Sequence, residues 1–163
     1  MINGHLPSYL LSGVRSGNEK RAELLTVLSE QNEEYHLTGS FFFKTSSQSS
    51  DVDLILGIDN VEEINHLLSY GFTLVNTLYK DKLIHGVLRH ECGIDIQLTF
   101  NGYLKDKLNA QKYIREHMME IYLISKTHKM ACIEMWNTAI EYVKSQKNII
   151  FYQETLSNKN IKA

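Results

Sequence analysis

The spacing of hydrophobic and polar residues changes partway along the chain. Short apolar runs first alternate with polar turns, whereas from Tyr103 onward apolar residues recur every three or four positions. The only proline is Pro7 and the last glycine is Gly102, so the strong helix breakers are confined to the first part. This pattern predicts an α and β core over residues 1–101 and a helical extension over residues 102–163 that packs on the core.

Two helices are predicted in the first part by the same local signature. A capping-box spacing, in which Ser or Asn is followed three residues later by Glu, precedes an apolar stripe in both cases. The predicted helices cover about 17–31 and 61–70, and Gly71 stands where a glycine commonly ends a helix. The two capping pairs are Ser16 with Glu19 and Asn60 with Glu63.

Five runs rich in β-branched, aliphatic or aromatic residues predict the strands. They lie near 35–38, 51–58, 72–79, 83–90 and 94–100. The last three are joined by short polar connectors, which is typical of an antiparallel meander. With the helices, these strands predict an α+β fold, in which a mixed β-sheet is flanked by helices and followed by a helical C-terminal part.

The composition is that of a folded domain without a dominant charge. Of 163 residues, 43% are hydrophobic and 22% charged, and the formal net charge is -2. This charge argues against a large phosphate-neutralising surface. No apolar stretch is long enough to span a membrane, and Cys92 and Cys132 are too few for a disulfide framework or a four-cysteine zinc site. We therefore expect a cytoplasmic protein that binds no membrane.

Other familiar patterns of catalysis and binding carry little weight in this chain. It contains neither the glycine-rich dinucleotide motif nor the phosphate loop. Two groups of His and Cys fall short of four zinc ligands, so we expect no zinc site. The basic residues of the extension are interleaved with tyrosines, which leaves an RNA acceptor open although solvated helix faces are the favoured interpretation. The zinc candidates are His85, His90 and Cys92, and His128 with Cys132.

The most informative residues are three aspartates in strand-like contexts. Asp51 and Asp53 are two positions apart, so on a strand both side chains point the same way. Asp95 stands between two isoleucines, although Asp is disfavoured in strands. If the strands pair, the three carboxylates form one cluster that needs a cation, and Mg²⁺ prefers such oxygen ligands. The plainer interpretation is an exposed edge strand that carries two aspartates.

A Gly-Ser pair precedes the aspartates and suits a phosphate. Gly39 lets the backbone come close to a ligand, and Ser40 follows where a short helical turn with free N–H groups can begin. A nucleoside triphosphate fits this arrangement.

These residues together resemble the DNA-polymerase-beta-like nucleotidyltransferase superfamily, in particular its minimal nucleotidyltransferases. The shared signature is a hydrophobic strand, Gly39-Ser40, a ten-residue spacer, Asp51-x-Asp53 and a later lone Asp95. The resemblance covers roughly residues 17–100 and implies the nucleotidyltransferase fold. The family's usual Gly-Ser-Arg-x-Arg-Gly start departs here to Gly-Ser-Phe-Phe-Phe-Lys. Lys44 or a residue of the helical extension would then replace the missing arginines.

The resemblance also implies a reaction and a division of roles. It implies transfer of a nucleoside monophosphate from a nucleoside triphosphate, with ATP expected, to an acceptor hydroxyl on a small molecule, a protein or an RNA end. Two Mg²⁺ ions, or Mn²⁺ in their place, would be held by the aspartates. Asp51 and Asp53 would bridge both ions, Asp95 would bind the catalytic one beside the acceptor hydroxyl, and Ser40 would bind the terminal phosphates.

Two other functions stay open at this point. One is a catalytically inactive protein of the same fold that binds a nucleotide or a partner protein. The other uses the same carboxylates to hydrolyse a phosphodiester, with an activated water in place of the acceptor hydroxyl. Metal and nucleotide binding without turnover would favour the first, and release of nucleotide from a nucleic acid would favour the second.

Overall fold

The structure is a computed structural model that describes four stretches of the chain. They are residues 1–12, 18–47, 49–75 and 86–162, with side chains as far as residue 145. Within them lies one six-stranded mixed sheet with helices, so the predicted α+β class is confirmed.

The sheet places the strands of the predicted core in the order β1-β2-β3-β6-β5-β4. β3 lies at the centre, antiparallel to β2 and parallel to β6. β5 lies between β6 and β4 and runs antiparallel to both. The predicted meander is therefore confirmed. The strands are β1 (Ile2–Asn3), β2 (Tyr35–Thr38), β3 (Val52–Ile58), β4 (Thr73–Leu74), β5 (Gly86–His90) and β6 (Ile94–Phe100).

Two predicted strands are described only in part. Of the run 72–79, the described residues include the strand β4, and of the run 83–90 they include β5. The rest of both runs after residue 75, including His85, lies outside the described residues. The strands near 35–38, 51–58 and 94–100 are confirmed to within one residue.

Alternation along the central strands separates a core face from a polar face. Val52, Leu54 and Leu56 of β3 are buried in one cluster with apolar residues of β6, whereas Asp53 between them lies on the opposite face. The helices beside this core face contribute Leu25 and Leu28 to that cluster, both without exposed surface. Burying each such leucine stabilises the fold by about 1.5–3 kcal/mol, so this cluster holds the sheet and helices together.

The helices of the first part follow the predictions with two corrections. α2 runs from Glu19 to Glu30 with Asn18 as its N-cap, so Ser16, which lies outside the described residues, is not the cap. The second helix begins as a 3₁₀ turn and continues as α4, with the predicted capping box of Asn60 and Glu63 in place. Gly71 follows it with a φ of 97°. The short elements are α1 (Ser8–Ser12), α3 (Gly39–Phe42), the 3₁₀ turn (Val61–Ile64) and α4 (Asn65–Ser69).

The chain divides into two compact units, Met1–Leu104 and Lys105–Ala163. The second is helical, and the expected interruptions divide its pattern into α5 (Asn101–His117), α6 (Met119–Tyr122) and α7 (Lys126–Lys162). No helix in the described stretches is both long and apolar enough to cross a bilayer. The catalytic role of the first unit stays a prediction.

One aromatic cluster fixes the helices of the second unit. The Trp136 indole N–H points to the Met118 sulfur at 3.1 Å, and its ring lies 4.8 Å from that of Tyr113, measured between centroids. On the same helix, Lys144 forms an ion pair of 2.9 Å with Asp106. These contacts join α5 to α7, as their apolar spacing predicts.

Candidate functional site

A row of polar residues crosses the polar face of the sheet at one level. Thr38 on β2 is in register with Asp53 on β3, Asp53 with Asp95 on β6, and Asp95 with Arg89 on β5. Residues in register on neighbouring strands project to the same face. The structure therefore brings two of the three predicted aspartates together, with an arginine that the sequence analysis did not select.

Gly39 makes direct room for Asp53. Its φ of 64° is left-handed, and a Cβ built on it would overlap the Asp53 carboxylate and lie 2.9 Å from the Asp53 Cβ and Cγ. Ser40 follows in α3, which is only four residues long. The Gly-Ser pair thus lies against the carboxylate row, and the glycine is needed for close packing as well as for its backbone angle.

Asp51 lies just before β3 and is exposed. The Val52 N–H donates to the Gly93 carbonyl at 2.9 Å, which ties the start of β3 to the turn before β6. A Cβ on Gly93, whose φ is 98°, would lie 3.1 Å from Asp51 Oδ1 and 3.5 Å from Arg21 Nη1. Asp51 therefore borders the row at the end of the sheet, and the Arg21 guanidinium approaches the same position of the turn at Gly93.

Arg21 is a buried charged residue that the sequence analysis missed. It is 2% exposed, its Nη1 donates to the Ser50 carbonyl at 3.2 Å, and its Nε and Nη2 have no hydrogen-bond partner among the described residues. The Ser50 contact holds the backbone next to Asp51, so Arg21 is a positioning residue. A signal was present, because Arg21 precedes Leu25 by four residues and so falls on the apolar face of α2.

The charges of the carboxylates act on one another. Burial, together with the negative charges of Asp95 and Asp51, raises the pKa of Asp53 to about 7, and the positive charge of Arg89 opposes this rise. A carboxyl whose neighbours are carboxylates is stabilised in its charged form by a cation. This charge distribution and the all-oxygen donor set fit a hard divalent ion such as Mg²⁺.

Arg89 is the cation that pairs with Asp95 in this structure. Its Nε donates to Asp95 Oδ1 at 3.0 Å and its Nη2 to Asp95 Oδ2 at 3.3 Å, so both carboxylate oxygens are used. In the described part of the chain, no three His, Cys, Asp or Glu side chains are already arranged to hold a metal ion. The expected ligands Asp51, Asp53 and Asp95 therefore need a rearrangement to bind one.

The other residues selected from the sequence lie away from the carboxylates or have structural contacts. Lys44 follows α3, is exposed and has a left-handed φ of 59°, and the described contacts do not bring it to the carboxylates. His90 Nδ1 accepts a hydrogen bond of 3.0 Å from the Cys92 N–H, so it stabilises the turn before β6. The Ser125 and His128 side chains hydrogen-bond at 2.7 Å near the start of α7.

Comparison with known proteins identifies no relative. No protein-family model, no curated protein and no solved structure matches this chain. The functional argument therefore rests on the residues and their geometry.

Proposed function

We propose that this protein is a Mg²⁺-dependent nucleotidyltransferase of the nucleotidyltransferase fold. It would transfer a nucleoside monophosphate from a nucleoside triphosphate, with ATP expected, to an acceptor hydroxyl on a small molecule, a protein or an RNA end. The observation that carries the proposal is the carboxylate row. Asp53 and Asp95 are in register on adjacent parallel strands, and the Asp53 carboxylate occupies the space that a side chain at Gly39 would need.

The proposed reaction assigns a task to the three aspartates and to Ser40. The acceptor oxygen bonds to the α-phosphorus, and the bond from that phosphorus to pyrophosphate breaks. Asp95 accepts the proton of the acceptor hydroxyl, and Ser40 binds the terminal phosphates. Asp51, Asp53 and Asp95 would hold the Mg²⁺ ions, which would neutralise charge and make the hydroxyl more acidic.

One observation favours the second candidate, an inactive protein of the same fold that binds a nucleotide or a partner. Arg89 takes both oxygens of Asp95, and an arginine in that place neutralises the row without a metal ion. The two candidates differ in turnover, because only the first predicts transfer.

The test is a labelled transfer assay. Wild-type protein is mixed with each α-labelled nucleoside triphosphate and Mg²⁺ or Mn²⁺, and the RNA, protein and metabolite pools of a cell extract are then separated. Asp53→Asn is the inactive variant, because an amide is a poor ligand for Mg²⁺ and has nearly the same shape. Glu62→Gln, at an exposed position of the 3₁₀ turn, is the control for a lost carboxylate.

Label in one pool with wild type and Glu62→Gln, but not with Asp53→Asn, would support the proposal and identify the acceptor class. Equal labelling by all three proteins would contradict the role of the row. Nucleotide binding without labelling in any pool would favour the inactive candidate.

A further inference from the structure

Arg89 and the proposed metal compete for the same two atoms. The guanidinium donates to both Oδ1 and Oδ2 of Asp95, and its positive charge beside them opposes the binding of a second cation there. Asp95 is therefore a weaker metal ligand while this pair is closed. The arginine is therefore part of any binding event at the row.

The pair is built so that it can open. The Arg89 side chain is 60% exposed, whereas that of Asp95 is 15% exposed. Because the guanidinium lies largely in water, it is hydrated when the pair opens, and the less exposed Asp95 carboxylate then needs another cation. Once released, it stays tethered to β5 beside the row, within the field of Asp53 and Asp51 as well.

A triphosphate is the partner that suits the released guanidinium. Arginine binds phosphate through two parallel hydrogen bonds, and metal binding removes the negative charge that holds it at Asp95. The segment after Gly39-Ser40 offers no arginine for this purpose, because it continues as three phenylalanines, of which Phe41 and Phe43 are buried. Arg89 is thus the cation of the described part of the chain that already lies on the row.

We propose that Arg89 is an exchangeable counter-ion, which pairs with Asp95 in the empty site and binds the triphosphate once Mg²⁺ has taken Asp95. This inference rests on the proposed function and adds to it the residue that recognises the phosphates. The consequence is coupling: the metal alone binds weakly because it must displace Arg89, and metal with triphosphate binds more tightly because Arg89 gains a new partner. Such coupling is reciprocal between the two ligands.

The experiment titrates Mn²⁺ into the protein with and without an ATP analogue whose α,β-bridge is methylene, so that no transfer occurs. Mn²⁺ binding is followed by the loss of the free-ion electron paramagnetic resonance signal beyond that caused by the analogue alone, and analogue binding by calorimetry. Arg89→Gln removes the guanidinium, and Arg89→Lys keeps the charge without the paired donors. The control, Lys20→Gln, removes an exposed positive charge from α2 instead of from β5. Because the Arg89 side chain is largely exposed, substitutions there remove no packing from the hydrophobic core.

We expect Arg89→Gln to bind Mn²⁺ alone about tenfold more tightly than wild type and the Mn²⁺-loaded analogue about tenfold more weakly, a coupling of ordinary size. Arg89→Lys should fall between them, and Lys20→Gln should match wild type. If Mn²⁺ binds through Asp53 but Arg89→Gln changes neither affinity, the exchange is wrong and the proposed function stands. If only Mn²⁺ affinity rises, the transfer of Arg89 to the phosphates is wrong. If neither wild type nor Arg89→Gln binds Mn²⁺ with the analogue, the proposed function itself fails.

Discussion

The carboxylate of Asp53 fills the space that a side chain on Gly39 would need. A Cβ at Gly39 would lie 2.9 Å from both Cβ and Cγ of Asp53, well inside van der Waals contact, and the glycine has a φ of 64°. The glycine of the Gly-Ser pair is therefore tied to the first carboxylate of the row by packing. This contact links two segments of the signature that are separated by the ten-residue spacer.

Gly39→Ala is expected to harm both stability and metal binding. The left-handed backbone costs an alanine about 1–2 kcal/mol, and the overlap with Asp53 must be relieved by moving that carboxylate. We expect unfolding in urea, followed by circular dichroism, to give a loss of at least about 2 kcal/mol, together with weaker Mn²⁺ binding.

Gly102→Ala is the matched control for that substitution. Gly102 lies in α5, and a Cβ there would meet nothing within 4 Å. Alanine is favoured over glycine in a helix, so stability should stay within about 1 kcal/mol of wild type or rise. An equal loss in the two variants would show that the contact with Asp53 is not what makes Gly39 necessary.

The stability of the metal-free protein should fall as the pH rises from about 4 to about 7. Asp53 has an ordinary pKa of 3.8 when unfolded and a pKa of about 7 when folded, so the folded state holds its proton over this range. As far as Asp53 is concerned, the free energy of unfolding is then highest below pH 4, and about 4 kcal/mol is lost by pH 8.

The check is urea unfolding of wild type and Asp53→Asn at several pH values. Relative to the variant, wild type should become less stable between pH 4 and pH 8, and Mg²⁺ should restore more stability at pH 8 than at pH 5. Parallel pH profiles for the two proteins would contradict the assigned cause, which is burial of Asp53 beside Asp95 and Asp51.

The burial of Lys107 leads to a separate prediction for the stability of the helical unit. It is 7% exposed, and burial lowers its pKa from 10.5 to about 8. Below pH 8 the folded state must hold a buried charge, whereas above about pH 10.5 the lysine is neutral in both states. Lys107→Met should therefore stabilise the unit by about 3 kcal/mol at pH 7 and by much less at pH 10.

The fluorescence of Trp136 reports this unfolding, since it is the only tryptophan of the chain and lies between α5 and α7. The same gain at pH 7 and pH 10 would mean that lost packing, rather than charge, governs the effect.

Arg21→Met tests the anchor behind Asp51. The variant loses one hydrogen bond to the Ser50 carbonyl but also removes two buried N–H groups without partners, so the free energy of unfolding should change by about 1 kcal/mol or less. Because Ser50 is no longer held, Mn²⁺ binding should weaken. Unchanged Mn²⁺ affinity with unchanged stability would remove Arg21 from the account of the site.

The sequence was sufficient for those features that local chemistry determines. The alternation around Asp53 and Asp95 predicted strands with a polar face, and the pair Asn60 and Glu63 predicted the start of a helix. The pairing of β3 with β6 was assumed, not predicted, from the sequence, because the register between distant strands depends on the whole sheet.

The cations of the site were missed for the same reason. Arg89 reaches Asp95 only because β5 pairs with β6 in that register, and nothing within its own run of residues marks it. Arg21 had a local signal on the apolar face of α2, but its contact with the segment before Asp51 depends on tertiary packing.

The most direct test of the central claim is a Mn²⁺ titration of wild type, Asp53→Asn and Glu62→Gln in the presence of the methylene-bridged ATP analogue. The account predicts saturable binding of up to two ions to wild type and Glu62→Gln, and at least tenfold weaker binding to Asp53→Asn. Equal binding by all three proteins, or no saturable binding by wild type, would contradict the claim that Asp51, Asp53 and Asp95 form a metal and nucleotide site.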